Sequence, residues 1–337
     1  MFNSIVYGWI LIVFKRLYQK IVKPKRVLFY RDFVAYYGGH QKVADYFAHL
    51  ESSFNYRPEI SFSEQTCWEP FNPWFPKYQD KSVAFNPTDY DFVFLAGMDW
   101  QMYLPFEGVH NKPVINLIQG VRHGDPKADV HQFLLQKAIR ICVSQPVADA
   151  IQATGKVSGP IFTIPNGHEP PELPIKPKVW DVIIVGAKQP AIANDIYTEL
   201  IQRNLKVLCF DKKISQRDLY EAMNLSKIAI LLPLEMEGFY LPALEAMKYC
   251  DLVIVPDCIG NREFCRDNQN CLMPEYDANS ILVCADRCLQ LLKDEQVLTV
   301  FKQEMIETLK AHTLANERKA FLRIMDDAHN LWAKDSV

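Results

Sequence analysis

The chain has 337 residues, about half of them hydrophobic, and a formal net charge of −3. This length suggests about two domains, and the small net charge gives no reason to expect nucleic acid as a partner. The nine cysteines are odd in number and include no C-x-x-C pair. A zinc site or a disulfide framework is therefore not expected, and a reducing cytosol fits better.

The N-terminal stretch is apolar and is followed by basic residues. Residues 5–14 read IVYGWILIVF, and six cations lie between positions 15 and 26. Ten apolar residues are too few to span a bilayer, which takes about 20, and no small-residue cleavage site follows. We predict that residues 1–25 form a basic amphipathic helix that lies on an anionic membrane surface. The alternatives are a helix packed on the protein itself and a disordered tail.

The first predicted strand, Arg26–Tyr30, leads into a glycine pair, Gly38 and Gly39. A helix is predicted over Gln41–Leu50, because its apolar residues recur at helical spacing. A strand, a glycine pair and a helix start form a candidate phosphate-facing loop, since free N–H groups at a helix start bind anions. The alternative is a plain tight turn.

Aromatic residues are dense between positions 54 and 106. Aromatic faces can stack on sugar rings, although packing in the core explains most of these side chains. Asp89 and Asp91 have the D-x-D spacing of a metal-binding motif. Because they open the apolar run Phe92–Leu95, we interpret them as the start of a strand and predict no metal there.

Pro113–Gln119 is another predicted buried strand, and the loop after it contains Arg122 and His123. A histidine in a loop is usually exposed, so a solvent-facing side chain is the alternative to a site role for His123. Further along, six prolines lie between Pro160 and Pro177, ends included. Such a stiff, extended stretch predicts a linker between two domains.

After this linker, short apolar strands alternate with helices. The strands are predicted at Val179–Gly186, Lys206–Phe210, Ile228–Leu232 and Leu252–Pro256, and the helices at about 191–203, 215–224, 277–293 and 295–332. This alternation predicts a parallel, doubly wound sheet. Ligands of such sheets bind at the carboxyl ends of the strands, which is where Gly186 and Glu237–Leu241 fall.

The stretch Leu231–Cys250 reads as a strand end, a polar turn and a helix start. Pro242 fits the first helical position, where its missing N–H would be unpaired anyway. Glu237 and Glu245 lie on either side of this helix start. A helix N-terminus offers free N–H groups and the positive end of a dipole, so this region could hold a diphosphate by backbone and hydroxyls by carboxylate. A nucleotide-sugar needs that combination.

Residues Glu237–Met247 resemble the signature E-G-F-G-L-P-x-L-E-A-M of the family 4 retaining glycosyltransferases, the glycosyl transferases group 1, which have the GT-B fold. Ten of these eleven residues fit, and Tyr240 replaces a glycine. The glycine pair after the first strand and the G-x-x-E of Gly260–Glu263 also resemble that family.

The resemblance implies an α/β protein of two Rossmann-like, doubly wound domains facing a central cleft. We expect an acceptor-side domain over residues 26–170 and a donor-binding domain over residues 171–310. Residues 311–337 are expected to form a C-terminal helix that crosses back to the first domain.

The resemblance also implies roles for site residues. Glu237 would hold hydroxyls of the donor sugar, and His123 would lie against that sugar, although Gln119 could take its place. The donor-binding residues are expected to be Gly38, Gly39, Gly186, Lys188, Gly238, Phe239, Tyr240, Leu241 and Glu245, with Glu245 on the ribose. Backbone N–H groups of Phe239, Tyr240 and Leu241 would face the phosphates. No metal and no cofactor are expected.

One departure concerns charge at the diphosphate. The family usually carries an arginine and then a lysine in the loop after the first strand of the second domain. Here Ala187 takes the place of the arginine, and Lys188 is the nearest cation, with Lys212 and Lys213 farther along. We expect one of these lysines to substitute, or activity to be impaired.

The implied function is retaining transfer of a sugar from a nucleotide-diphosphate sugar to a lipid-linked or glycan acceptor, without a metal, in cell-surface polysaccharide or glycoconjugate synthesis. The alternatives are a sugar-nucleotide epimerase of the same architecture and an inactive nucleotide-sugar-binding homologue. We expect a cytoplasmic protein attached to the cytosolic face of a membrane through residues 1–26, with no nucleic acid partner.

Overall fold

The computed structural model describes residues 23–35, 38–109 and 111–334. These residues form two compact units. The first unit contains the described residues up to Val143, together with Val147–Ile164 and the chain from Arg318 onward. The second unit contains Ser144–Pro146 and Pro165–Glu317.

The first unit is built on a parallel sheet of six strands, in the order β2-β1-β3-β4-β5-β6. Its strands are β1 (Lys25–Arg31), β2 (Tyr56–Phe62), β3 (Phe92–Ala96), β4 (Val114–Ile118), β5 (Ile139–Cys142) and β6 (Ile161–Thr163). Every residue of β3, β4 and β5 is buried. Strands buried on both faces read as continuous apolar runs, which is why the sequence pattern predicted them.

Three helices of the first unit are α1 (Gly38–Ser52), α2 (Trp100–Tyr103) and α3 (Gln145–Gln152), of which α3 begins in residues of the second unit. Helix α1 begins at Gly38, so the glycine pair lies in the first helical turn and not in a loop before it. The aromatic residues Trp74, Trp100 and Tyr103 are buried, in agreement with packing in the core.

The last helix of the chain completes the core of the first unit. Phe321 is fully buried, and its ring centroid lies 4.7 Å from that of Tyr46 on α1. The Tyr56 hydroxyl on β2 donates to Asp326 at 2.8 Å. The helix that contains Phe321 and Asp326 therefore contacts both α1 and β2 of the first unit.

The second unit has a parallel sheet of four strands, in the order β10-β9-β7-β8. Its strands are β7 (Trp180–Val185), β8 (Val207–Phe210), β9 (Ser226–Leu231) and β10 (Leu252–Ile254). Its helices are α4 (Pro190–Gln202), α5 (Gln216–Asn224), α6 (Leu241–Tyr249), α7 (Ala278–Leu291) and α8 (Glu295–Ala311). Alternating strands and helices produce the expected doubly wound α/β arrangement.

The end of the chain corrects one predicted element. The single helix predicted at about 295–332 is two helices, α8 and α9 (Leu314–Lys334). The Asn316 N–H donates to the Thr313 hydroxyl at 3.1 Å and so starts the second helix. A Cβ on Gly167 would lie 2.4 Å from the Thr313 carbonyl oxygen, so the chain at Gly167 approaches this break closely.

The unit boundaries also differ from the predicted domain limits. The long segment of the second unit begins at Pro165 and not at residue 171, and the unit also includes Ser144–Pro146. The Gly167 N–H donates to Glu317, and the His168 N–H donates to the His312 carbonyl at 2.8 Å. These bonds hold Gly167 and His168 in the second unit, although the predicted domain limits placed both residues in the first domain.

The predicted membrane helix of residues 1–25 lies, up to residue 22, outside the described residues. Among the helices that the structure does describe, none combines the length and apolar character needed to cross a membrane.

Candidate donor-sugar site

The turn between β9 and α6 brings Glu237 to the carboxyl end of the second sheet. Helix α6 begins at Leu241, one residue before the predicted first position at Pro242, and the proline lies in its first turn. The Glu237 side chain is 18% exposed, and it accepts a backbone hydrogen bond from Leu234 at 3.3 Å. A largely buried carboxylate at the start of a helix is positioned for hydrogen bonds to hydroxyls.

Lys188 lies against this carboxylate. Its ammonium donates to Glu237 Oε1, and its side chain is 45% exposed. The same nitrogen lies 5.4 Å from the centroid of the Tyr240 ring. Lys188 therefore lies beside two other residues that the sequence placed in the donor site, and its ammonium faces water on one side.

Gly260 supports the turn that holds Glu237. A Cβ at position 260 would lie 2.9 Å from the Glu237 carbonyl oxygen and 2.9 Å from the Phe239 nitrogen. The Tyr240 N–H donates to the Gly260 carbonyl at 2.9 Å. Only a residue without a side chain allows this approach. The G-x-x-E segment, Gly260–Glu263, thus packs through Gly260 against the turn that carries Glu237.

The same bonds correct the prediction about backbone donors. The Tyr240 N–H is paired with Gly260, and the Leu241 N–H donates to the Phe239 carbonyl at 3.2 Å. Two of the three N–H groups predicted to face phosphates are therefore already used inside the protein. The Gly238 carbonyl accepts from the Ser144 hydroxyl at 2.8 Å, which holds the turn from its other side.

Glu245 is buried in a cluster of hydrogen-bond donors and is 4% exposed. Its Oε1 lies 3.0 Å from the Tyr220 hydroxyl, 3.0 Å from His168 Nε2 and 3.5 Å from Gln216 Nε2. Buried carboxylates need such partners, because burial without them costs several kilocalories. The sequence did not identify His168 or Tyr220 as its partners. The one available signal was that His168 follows the N-G pair at 166–167.

Gly186 has a packing role in the loop after β7. A Cβ there would lie 2.2 Å from the Ala193 Cβ, so the glycine lets α4 pack against the end of the strand. Ala187 and Lys188 follow as exposed residues, and Pro190 begins α4. Packing against α4 is thus sufficient reason for a glycine at position 186. The cation of this loop that contacts Glu237 is Lys188.

In the first unit, His123 is buried and not exposed. It lies in a short 3-10 turn, is 5% exposed, and its Nδ1 is 2.9 Å from the Gly120 carbonyl. Because a carbonyl only accepts, Nδ1 carries the proton and Nε2 presents a lone pair. Nε2 is buried and has no hydrogen-bond partner among the described residues. Burial lowers the pKa of His123 to about 4, so the imidazole is neutral at pH 7.

The glycine pair lies at the carboxyl edge of the first sheet, beside Gln119. The Gln119 amide donates to the Gly39 carbonyl at 3.2 Å, and a Cβ on Gly39 would lie 3.3 Å from that amide. Gly38 has open space around the position of a Cβ. Gln119, the alternative to His123, therefore contacts the glycine pair, while Arg122 is exposed.

A buried ion pair that the sequence analysis missed lies at the same edge. Arg31, at the end of β1, donates to Asp99 and to the Ala96 carbonyl, and both charged residues are almost fully buried. Burial raises the pKa of the Asp99 carboxyl, and the Arg31 guanidinium opposes that rise. No local sequence pattern could predict this ion pair, because its two members are 68 positions apart.

Asp89 and Asp91, which have D-x-D spacing, both take part in the local structure before β3. Asp91 accepts from the Arg26 N–H at 2.7 Å, and Asp89 ends a short 3-10 turn. Within residues 23–35, 38–109 and 111–334, no group of three or more histidine, cysteine or acidic side chains is arranged to hold a metal ion.

Part of the chain matches the model of a known family. Residues 171–308 match the model of the glycosyl transferases group 1. No curated protein matches the chain by sequence.

Several solved structures share the fold. HepE from Anabaena, solved in complex with UDP, is 12% identical, with a TM-score of 0.67 over 90% of this chain and 100% of its own. A glycosyltransferase from Rickettsia africae is 15% identical, with a TM-score of 0.67 over 91% of this chain and 99% of its own. Sucrose-phosphate synthase from Thermosynechococcus elongatus is 14% identical, with a TM-score of 0.64 over 90% and 98%. The fold is therefore GT-B, and the segment 171–308 resembles the glycosyl transferases group 1 family.

Proposed function

We propose that this group 1 glycosyltransferase moves a sugar, with retention at the anomeric carbon, from a nucleoside diphosphate sugar to an acceptor hydroxyl. The observation that carries the proposal is the arrangement around α6, with Glu237 and Lys188 at its start and Glu245 buried within it. HepE, which has the same fold, has been solved with UDP and with UDP-glucose. We propose a donor of the same chemical class for this chain.

Each side chain has a role in this proposal. Glu237 accepts hydrogen bonds from hydroxyls of the donor sugar, and Glu245 accepts them from the ribose hydroxyls. His123 is proposed to lie against the donor sugar. Its neutral ring, with Nδ1 protonated, would offer Nε2 as an acceptor to a sugar hydroxyl.

The bond between the anomeric carbon and the diphosphate breaks in the reaction, and negative charge grows on the leaving phosphate oxygen. Lys188 and the positive end of α6 stabilise that charge electrostatically. The sugar becomes oxocarbenium-like, and the acceptor hydroxyl attacks from the face that the diphosphate leaves, passing its proton to the departing phosphate oxygen as the new glycosidic bond forms. No covalent protein intermediate forms, so the chain requires no nucleophilic side chain.

We propose that the reaction proceeds without a metal, because Lys188 and the helix start supply positive charge at the diphosphate. The rate should then change little when Mg²⁺ or EDTA is added. Complete and reversible loss of activity in EDTA would reject this and return Asp89 and Asp91 to consideration.

We also propose peripheral attachment to the cytosolic face of a membrane through residues 1–26, with a lipid-linked or glycan acceptor used in cell-surface polysaccharide or glycoconjugate synthesis. The support is the composition of that stretch, ten apolar residues followed by six cations. Each cation near an anionic surface contributes on the order of 1 kcal/mol, and salt screens this contribution.

Sedimentation with vesicles tests the attachment. The full chain should bind vesicles that contain anionic lipid, and binding should weaken as salt rises. A chain that lacks residues 1–24 should lose most binding and keep hydrolysis of a soluble donor. Equal sedimentation of the two chains would reject the membrane role of these residues.

The alternative with direct support is a protein that binds nucleotide-sugars without turnover, because Ala187 stands where the resemblance expects an arginine. Incubation with UDP-, GDP- and dTDP-sugars distinguishes the possibilities. Transfer to an acceptor or slow hydrolysis supports the transferase, isomerisation of the sugar indicates an epimerase, and binding alone indicates the inactive homologue.

A further inference from the structure

Two departures from the family pattern lie in the second unit. Ala187 occupies the position of an expected arginine, and Tyr240 occupies the position of a glycine. Lys188 follows Ala187 in the chain, and its ammonium contacts Glu237 and lies 5.4 Å from the centroid of the Tyr240 ring. A glycine at position 240 would offer no such ring.

The Tyr240 ring is held rigidly. The residue is 2% exposed and belongs to the apolar core of the second unit, and its N–H donates to the Gly260 carbonyl. Burial, with a further contribution from the negative charge of Glu237, holds the pKa of Tyr240 well above its usual value. The ring is therefore a neutral phenol at pH 7, with a fixed position and a negative face for a cation.

Lys188, in contrast, has a long and flexible side chain that is 45% exposed. An ammonium on four rotatable bonds spends little time at one place unless contacts restrict it. Two contacts do so here, the carboxylate of Glu237 and the ring of Tyr240. A distance of 5.4 Å to the ring centroid lies within the range of a cation–π interaction.

We propose that Tyr240 is a positioning residue for Lys188. Its ring holds the lysine ammonium beside Glu237, where one flexible cation takes over the role that the missing arginine would have at the donor diphosphate. The inference rests on the proposed function, since it requires a diphosphate beside Lys188. It deepens that function by explaining how the site works without the arginine.

A double-mutant cycle on diphosphate affinity tests this role. Isothermal titration with UDP, GDP and dTDP measures Kd for the full-length protein and for its Tyr240→Leu, Lys188→Met and doubly substituted variants. Lys188→Met should weaken binding about ten- to a hundredfold, as loss of a charged hydrogen bond does. Tyr240→Leu should weaken it about fivefold when Lys188 is present and less than twofold in the Lys188→Met protein.

A graded series keeps the test independent of folding at this buried position. Tyr240→Phe and its mono-, di- and trifluorinated analogues, introduced by amber suppression, keep the shape of the ring and progressively weaken its negative face. Diphosphate affinity should fall stepwise along this series in the Lys188 protein and stay level in the Lys188→Met protein.

The outcomes are distinguishable. A loss of affinity with Tyr240→Leu that is the same in both backgrounds would mean that the ring only supports the turn, and it would overturn the proposal. An affinity that does not change along the fluorinated series would overturn it as well. Failure of the wild-type protein to bind any of the three nucleotides would reject the proposed function and this inference together.

Discussion

Substitution of Gly260 tests whether the turn that carries Glu237 is held by its backing loop. In Gly260→Ala the added Cβ would lie 2.9 Å from two backbone atoms, the Glu237 carbonyl oxygen and the Phe239 nitrogen. Backbone atoms cannot rotate away as the end of a flexible side chain can. The turn must therefore move by several tenths of an ångström, and such overpacking typically costs about 1–3 kcal/mol of stability.

That displacement acts directly on the site. Movement of the Glu237 backbone shifts its carboxylate relative to Lys188, and it strains the bond from the Tyr240 N–H to the Gly260 carbonyl. A misplacement of about 1 Å can cost on the order of 10²-fold in rate, so a shift of several tenths of an ångström costs up to that amount. We therefore expect kcat/KM for donor hydrolysis or transfer to fall by roughly ten- to a hundredfold in Gly260→Ala.

Gly120→Ala is a suitable control, because the nearest atom to its added Cβ is Arg122 Cγ at 4.0 Å. The two variants would be compared by thermal melting and by steady-state kinetics on the same donor. The control should retain both properties. Wild-type kinetics and an unchanged melting temperature in Gly260→Ala would refute the close approach and the role of the loop.

Further predictions follow from the charged and titratable groups. Glu237→Gln should lower turnover about ten- to a hundredfold with an unchanged melting curve, since the amide keeps the shape and loses the charge; wild-type turnover would remove Glu237 from the site. Tyr220→Phe should lower the free energy of unfolding by about 1–2 kcal/mol and weaken nucleotide binding, because Glu245 loses a donor; an unchanged Kd by calorimetry would argue against a ribose contact. For His123, whose pKa falls from 6.5 to about 4, the unfolded chain takes up the proton first as pH falls. Stability on the order of 3 kcal/mol is then lost between pH 6.5 and 4. Melting of His123→Asn across that range should show a shallower decline than the wild type, and equal slopes would contradict the buried neutral ring.

The fold could be predicted because its determinants are local in sequence. The apolar run Ile228–Leu232 and the proline at 242 bracket the signature turn, and the structure has β9 ending at Leu231 and α6 beginning at Leu241. Alternation of short apolar strands with helices predicted the parallel sheet of the second unit, and the family resemblance implied a similar sheet in the first. The GT-B prediction is confirmed by the family model and by the solved structures of the same fold.

The partners of the site residues could not be predicted in this way. Lys188 meets Glu237 across 49 positions, and His168 meets Glu245 across 77. Local propensity and periodicity carry no information about contacts at such separations. For the same reason the sequence indicated an exposed His123 as the alternative to a site role, whereas packing in the first unit buries the ring.

The break between α8 and α9 shows a different limit. The segment Ala311–Leu314 contains no glycine or proline that would predict an interruption, and the helical pattern runs through it. The break coincides instead with the close approach of Gly167, whose N–H donates to Glu317 at the start of the last helix. The predicted helix is thus interrupted where Gly167, which is distant in sequence, packs against Thr313.

The ion pairs Arg31–Asp99 and Lys188–Glu237 differ in how much free energy their separation by a ligand would cost. Arg31 and Asp99 are 7% and 6% exposed, so separation of that pair would leave an uncompensated buried charge, which is strongly destabilising. Lys188 is 45% and Glu237 18% exposed, so water partly solvates this pair and its separation costs less than that of a buried pair. In the proposed reaction, a diphosphate would therefore share the Lys188 ammonium with Glu237 while the Tyr240 ring keeps the cation in place. The weakened pair would leave the carboxylate able to accept from sugar hydroxyls once the phosphates arrive, so a partly exposed pair suits a site in which one cation serves two anions.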